Sequence, residues 1–311
     1  MQNTINKSDN LQNSFVYGMG SFFNIFNLEH KKCFKIAEKN NFYFHSSIAY
    51  PGASFFYKKN SDNKKSNDKK LILKIAGYSY DQLKFEVDES IKEFKLDQLY
   101  GFQLWEKLPE KDEKINQVEL KKIISYLEEL KKNKIIEKTF FQLEPKKINF
   151  DEINFFDGYA FYGYPHELQI DKDQYLKIIE NKKILLQFQF FGGRSTKIFR
   201  ENFKKNINNK KTEFEIDKLW INECLNFSNS ISKSNCLFVG CTQKSRRLEF
   251  LANIIKKKDK NFKKIQNINF SDNLNFLTQV NYPIKNHPSF LKKIRSNLHL
   301  IKLYLRKIIK F

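Results

Sequence analysis

Four side chains with chemical potential stand in or beside apolar, strand-like runs. His45 ends Phe42-Tyr-Phe-His, Tyr50 follows five residues later, Lys74 lies within Leu71-Ile-Leu-Lys-Ile, and Trp105 closes the run that begins at Leu99. An imidazole titrates near neutral pH, a phenol and an indole N–H donate hydrogen bonds, and an ammonium favours negative charge beside it. Each also has a plainer use. His45 suits a hydrogen-bonded strand-end histidine, and Trp105 suits a core or pocket-wall aromatic that could equally stack on a flat ligand ring.

Two glycine-bearing turns offer a different chemistry. Gly192-Gly193-Arg194-Ser195-Thr196 and Gly240-Cys-Thr-Gln-Lys244-Ser245-Arg246-Arg247 both follow apolar runs, and the second opens a helical pattern. Main-chain N–H groups, a hydroxyl and cations at a helix start suit a phosphate. A solvated cationic turn on a basic surface reads the same residues without a ligand.

For these groups to meet, the chain must fold as alternating strands and helices. Strand-like runs fall at 15–20, 42–46, 71–75, 99–105, 135–143, 155–161, 184–191 and 236–239. Between them, helical spacing is read at 28–40, 81–94, 119–132, 174–180, 217–226 and 247–255, while a Pro51-Gly52 turn leads through a helix or loop into a polar linker at 60–70. Strands too apolar to be half exposed imply a parallel sheet covered by helices. No GxGxxG follows the first strand, so a closed (β/α)₈ barrel, a TIM barrel, is favoured over an open doubly wound sheet. In such a barrel the C-terminal strand ends carry the chemistry, which is where the four residues lie.

The order of segments resembles the aldo-keto reductases. Phe44-His-Ser-Ser-Ile-Ala-Tyr50-Pro is similar to that family's Asp-Thr-Ala before its Tyr-Gly, and Leu73-Lys74 to its lysine strand. The run from Val87 to Trp105 is similar to its helix and strand ending in histidine; Leu127 to Ile136 and Leu237-Phe-Val-Gly240-Cys-Thr follow in the family's order, over about residues 14–255. The resemblance implies an NADPH-dependent oxidoreductase that reduces a carbonyl, sugar-related by analogy, with Tyr50 as the acid and Lys74 favouring its ionised form. It places the family aspartate on His45 and the family histidine on Trp105, so the catalytic set is degenerate. It also implies nucleotide held by Gly192, Gly193, Arg194, Gly240, Lys244, Ser245, Arg246 and Arg247, the cationic cluster suiting a ribose 2′-phosphate. The alternative is a catalytically silent barrel that binds a nucleotide or anionic sugar as a scaffold.

With 56 basic against 35 acidic residues the net charge is +21, which favours anionic partners, although enrichment of Lys alongside Asn, Ile and Phe reads equally as composition bias. Residues 256–311 contribute +12 of this, from fourteen basic residues and two aspartates. Within them, Leu291, Ile294, Leu298, Ile301, Leu305 and Ile308 repeat at helical spacing among lysines and arginines, an amphipathic helix that could pack on the barrel, lie on an anionic membrane or pair with a partner. The expected organisation is a flexible start over 1–12, a barrel over 13–255 and a basic extension over 256–311. Cys33, Cys224, Cys236 and Cys241 form no CxxC pattern, and no apolar run is long enough to span a bilayer, so the expectation is a reduced, cytoplasmic chain, peripheral to a membrane at most. No metal site is expected, nucleic-acid motifs are absent, and oligomeric state is left open.

Overall fold

The computed structural model describes residues 14–20, 27–50, 52–61, 64–76, 79–105, 117–143, 153–164, 167–168, 170–191, 211–231, 235–257 and 269–270. All belong to the first of two compact units, Met1–Asp272 and Asn273–Phe311. The amphipathic pattern at 290–311 and the 192–194 turn lie outside the described residues.

Eight parallel strands close on themselves. In chain order they are β1 (Ser14–Gly18), β2 (Tyr43–Ser46), β3 (Leu71–Ala76), β4 (Leu99–Trp105), β5 (Ile136–Gln142), β6 (Gly158–Tyr164), then β8 (Ile184–Phe188) and β9 (Cys236–Gly240), which pairs back onto β1. This is the expected (β/α)₈ barrel. A two-residue strand, β7 (Glu167–Leu168), turns back antiparallel on β6, and β10 (Asn269–Phe270) pairs with β7, so a piece of the expected extension is tied to the barrel unit.

Parallel partners point to the same side of a sheet, so the register sorts each strand into lumen and outer face. Val16, Ile72, Phe140, Ala160, Leu186, Leu237 and Val239 are all buried in one inner cluster. The alternating residues, among them Phe15, Tyr17, Phe44, Leu73 and Phe161, belong to the larger cluster under the helices. Aromatic edges fill that layer: Phe34 stacks on Phe44 at 5.0 Å, and Phe15 meets Phe42 at 5.2 Å. Such pairs add to the stabilisation that burial alone provides.

The helices are α1 (Leu28–Lys39), α2 (Ala53–Asn60), α3 (Lys64–Asp68), α4 (Tyr80–Phe94), α5 (Gln117–Lys132), α6 (Lys172–Glu180), α7 (Glu213–Ile231) and α8 (Ser245–Lys257). Asn27, Ser79 and Asp171 cap α1, α4 and α6 by accepting first-turn N–H groups. Three differences from the sequence reading have a visible cause. The 60–70 linker contains α3, which Tyr57 fastens by donating its hydroxyl to Asp68 at 2.9 Å. Helix α7 begins earlier because Thr212 and Glu215 form a reciprocal capping box. Strand β6 starts three residues late because Asp157 is engaged: its carboxylate accepts from Thr139 N and Oγ1 and pairs with Lys131 at 2.6 Å.

At the start of β6 the backbone leaves no room for a side chain. A Cβ on Gly158 would lie 2.5 Å from the Ile184 carbonyl oxygen and 2.9 Å from the Phe140 ring. Gly158→Ala is therefore expected to cost about 1–3 kcal/mol by forcing β6 and β8 apart, read as a lowered urea midpoint; an unchanged midpoint would show that the pair can yield.

Candidate functional site

The C-terminal mouth of the barrel gathers polar side chains from adjacent strands. The register aligns Gly18 with His45, Lys74 with Gln103, Ala76 with Trp105 and Gln103 with Phe140. His45, Gln103 and Gln142 are 2%, 0% and 3% exposed, so each must find a partner within the protein. They find one another. Gln142 Nε2 donates to the Leu143 carbonyl at 3.3 Å, Gln103 Nε2 donates to Gln142 Oε1 at 2.8 Å, and Gln103 Oε1 lies 2.7 Å from His45 Nε2.

The direction of this line follows from its end. A backbone carbonyl can only accept, so Gln142 presents its amide N–H there, Gln103 presents its own to Gln142, and Gln103 Oε1 accepts from His45 Nε2–H. The imidazole is thereby the Nε2–H tautomer, with its lone pair on Nδ1. Burial, helped by the nearby Lys74 charge, pushes His45 down to about 4, despite the contrary pull of the Gln103 hydrogen bond. At neutral pH it is an uncharged imidazole, not the group titrating there that the sequence suggested.

Lys74 occupies the same mouth, half-buried, with its Nζ 3.1 Å from the centroid of the Trp105 ring. The eight barrel strands carry one carboxylate among their described residues, the exposed Glu137, so none faces the ammonium across the lumen. Burial consequently lowers Lys74 to about 7, with Glu86 on α4 pulling weakly upward. The Trp105 face also pulls against burial, favouring the ammonium.

Tyr50 lies in different company. Its ring is within 3.8 Å of where a Cβ on Gly20 would stand, and its hydroxyl is pushed well above the usual phenol range by burial, then by Cys241 and Tyr162. The sequence reading had Lys74 drawing the phenol towards ionisation; here burial dominates, and Lys74 is stacked on Trp105 instead. Of the four predicted residues the structure brings together His45, Lys74 and Trp105, and sets Tyr50 beside the ends of β1 and β9.

Gln103 and Gln142 were missed. Their signal was a lone amide in an otherwise apolar strand, Phe102-Gln103-Leu104 and Phe141-Gln142-Leu143. Gln103, two residues before Trp105, is the β4 side chain that meets His45.

The turn after β9 holds an anion of the protein's own. Ser245 N–H, the first of α8, donates to Glu29 Oε2 at 2.9 Å, and Thr242 Oγ1 accepts from Lys244 N–H. This contact holds the Glu29 carboxyl below its usual range. Arg247 and Arg246 both reach the buried Asp217 of α7, at 2.6 and 3.5 Å. Gly240 ends β9, and Gly192, Gly193 and Arg194 lie outside the described residues. Among the described residues no group of three His, Cys, Asp or Glu side chains could hold a metal, and no helix is long and apolar enough to cross a membrane.

The buried imidazole makes stability depend on pH. Below its ordinary value of 6.5 the unfolded chain takes up a proton that folded His45 accepts only near 4, so stability falls as pH drops across that window, by about 3 kcal/mol. Urea titrations at pH 7 and pH 4 on wild type and His45→Gln should give a smaller loss in the variant; equal losses would contradict the neutral assignment.

No protein-family model and no curated relative matches the sequence. Solved structures do match by shape. Aldose reductase from Giardia lamblia is 11% identical with a TM-score of 0.58, over 78% of this chain and 87% of that one. An aldo/keto reductase from Klebsiella pneumoniae in complex with NADP and acetate is 10% identical with a TM-score of 0.56, over 82% and 93%. An aldo-keto reductase from the same organism in complex with NADPH is 8% identical with a TM-score of 0.55, over 82% and 92%. The chain has the barrel fold that these aldo-keto reductases share.

Proposed function

We propose that this protein is an NADPH-dependent reductase of small carbonyl compounds in which Lys74, in place of Tyr50, hands over the proton. The observation that carries this reading is the mouth itself: a half-buried ammonium poised near neutrality beside an uncharged hydrogen-bonded line, in a barrel of the same fold as reductases solved with NADP and NADPH.

The turn at α8 fits the anionic end of such a nucleotide, because its helix N-terminus already binds a carboxylate. Ser245 and Thr242, with Lys244 beside them, would hold a phosphate once Glu29 yields; Arg246 and Arg247 are anchored by Asp217 and would contribute field more than direct contact. The bound nicotinamide would supply hydride. Everything else falls to this chain. A carbonyl oxygen entering the mouth meets the Lys74 ammonium, which stabilises the charge developing on that oxygen and then donates its proton. Tyr50 holds its own proton too tightly to compete. Trp105 forms one wall and keeps the Lys74 amine at the opening, where solvent restores its proton. The line from His45 to Leu143 keeps the floor polar without adding charge.

Because the acid must be protonated, kcat/KM for carbonyl reduction is expected to fall as pH rises through about 7. Lys74→Met should lower kcat by about 10²–10⁴, the range of a lost general acid, while Tyr50→Phe stays within about tenfold. The reverse ranking of the two variants would restore Tyr50 as the acid. Glu29→Gln should tighten NADPH about two- to fivefold, the worth of one charge at a helix terminus, as read by quenching of Trp105 and Trp220; absence of any saturable response to NADPH or NADH would overturn the reductase reading.

A further inference from the structure

We propose that Lys74 captures small aldehydes and ketones as a Schiff base, giving the barrel an imine-forming activity that needs no nucleotide. Three features of the geometry lead there. Lys74 is half-buried towards the C-terminal end of β3, in register with Gln103. It lies over the Trp105 face at 3.1 Å, and among the described residues no carboxylate oxygen comes within ion-pair distance of it. Nearby sits a neutral imidazole whose Nε2–H is committed to the line of amides ending at the Leu143 carbonyl, so it adds no charge beside the amine.

An amine must be uncharged to add to a carbonyl. An ordinary lysine carries roughly one neutral amine in three thousand at pH 7, and burial that lowers Lys74 to about 7 raises the reactive neutral fraction well above that. The Nζ lone pair adds to the carbonyl carbon and the carbonyl π pair moves to oxygen, which takes up a proton to give a carbinolamine. Nitrogen then surrenders its protons as the C–O bond breaks, and the oxygen departs as water. Amine plus carbonyl gives imine plus water, with no change in oxidation state and no co-reactant. The protonated imine inherits the place of the ammonium over the indole ring, where the aromatic face stabilises a cation.

Ile72, Leu186 and Val239 belong to the buried cluster of the lumen, and Phe188 packs against both His45 and Tyr162. The step stands apart from the reductase reading, because a chain that never binds NADPH can still form the imine.

The test uses the full chain at pH 7 with D-glyceraldehyde and sodium cyanoborohydride, without nucleotide, followed by peptide mass analysis. Cyanoborohydride fixes an imine as a stable secondary amine, so each lysine's labelling rate is read from its own peptide. The expected result is labelling of Lys74 at least about tenfold faster than the typical surface lysine, with a rate that levels off above about pH 7 while surface lysines continue to rise. In Lys74→Arg, its fold verified by circular dichroism, the fast site should vanish and the slow background remain. Lys74 labelled no faster than the surface, or rising with pH in step with it, would overturn the proposal. Should Lys74→Arg fail to fold, the site-resolved pH profile of the wild type decides alone. NADPH titration of the same preparation reports separately on the reductase reading.

Discussion

A closed barrel offers the side chains of its lumen very little water, and that constraint shapes the mouth of this one. A polar group placed there must be satisfied by another protein group or pay a desolvation cost of several kcal/mol if charged. His45, Gln103 and Gln142 meet the requirement as a line of neutral donors and acceptors that ends on the Leu143 carbonyl. The line fixes a proton on Nε2, and burial, which outweighs the contrary pull of the Gln103 hydrogen bond, keeps the second proton off. A carboxylate at position 45 would have held Lys74 charged across the lumen. With imidazole there, burial is left to act on the ammonium alone, and Lys74 is lowered while its stem and head settle on Trp105. The protonation of the mouth thus follows from which side chain stands at position 45.

Charge is managed in the opposite way on the outside. Although the chain carries +21, three carboxylates among the described residues hold elements together. Asp157 joins β5 to α5 and delays β6, Asp217 binds two arginines of α8 from within α7, and Glu29 spans from α1 to the first N–H of α8. The last two also set the character of the turn after β9. Its cations are partly committed and its helix N-terminus is already charged, so an incoming phosphate competes with the protein's own anion. The same contact stitches α1 to α8, the helices flanking the strand pair that closes the barrel.

The amino-acid sequence by itself determined the fold class, because the signal for each strand is local: Leu99–Trp105 and Ile184–Phe188 are apolar runs that cannot tolerate solvent on either face, and Glu119, Leu120, Ile123 and Leu127 declare a helix by their spacing. It also placed His45, Lys74 and Trp105 near strand ends, since position along a strand is a one-dimensional property. It did not reveal where β6 starts, because that depends on Asp157 reaching Thr139 and Lys131.

Tertiary structure alone decided which residue of β4 faces His45. Register fixes that choice, and a shift of one residue reverses the faces of a strand, so Gln103 and Trp105 point inward together but at different depths. The protonation of Lys74 was likewise beyond the sequence, since burial and the nearest charge come from segments distant along the chain. The amphipathic pattern at 290–311 is legible as a helix with an apolar stripe, but spacing cannot name what covers that stripe, because hydrophobic burial has no preferred partner.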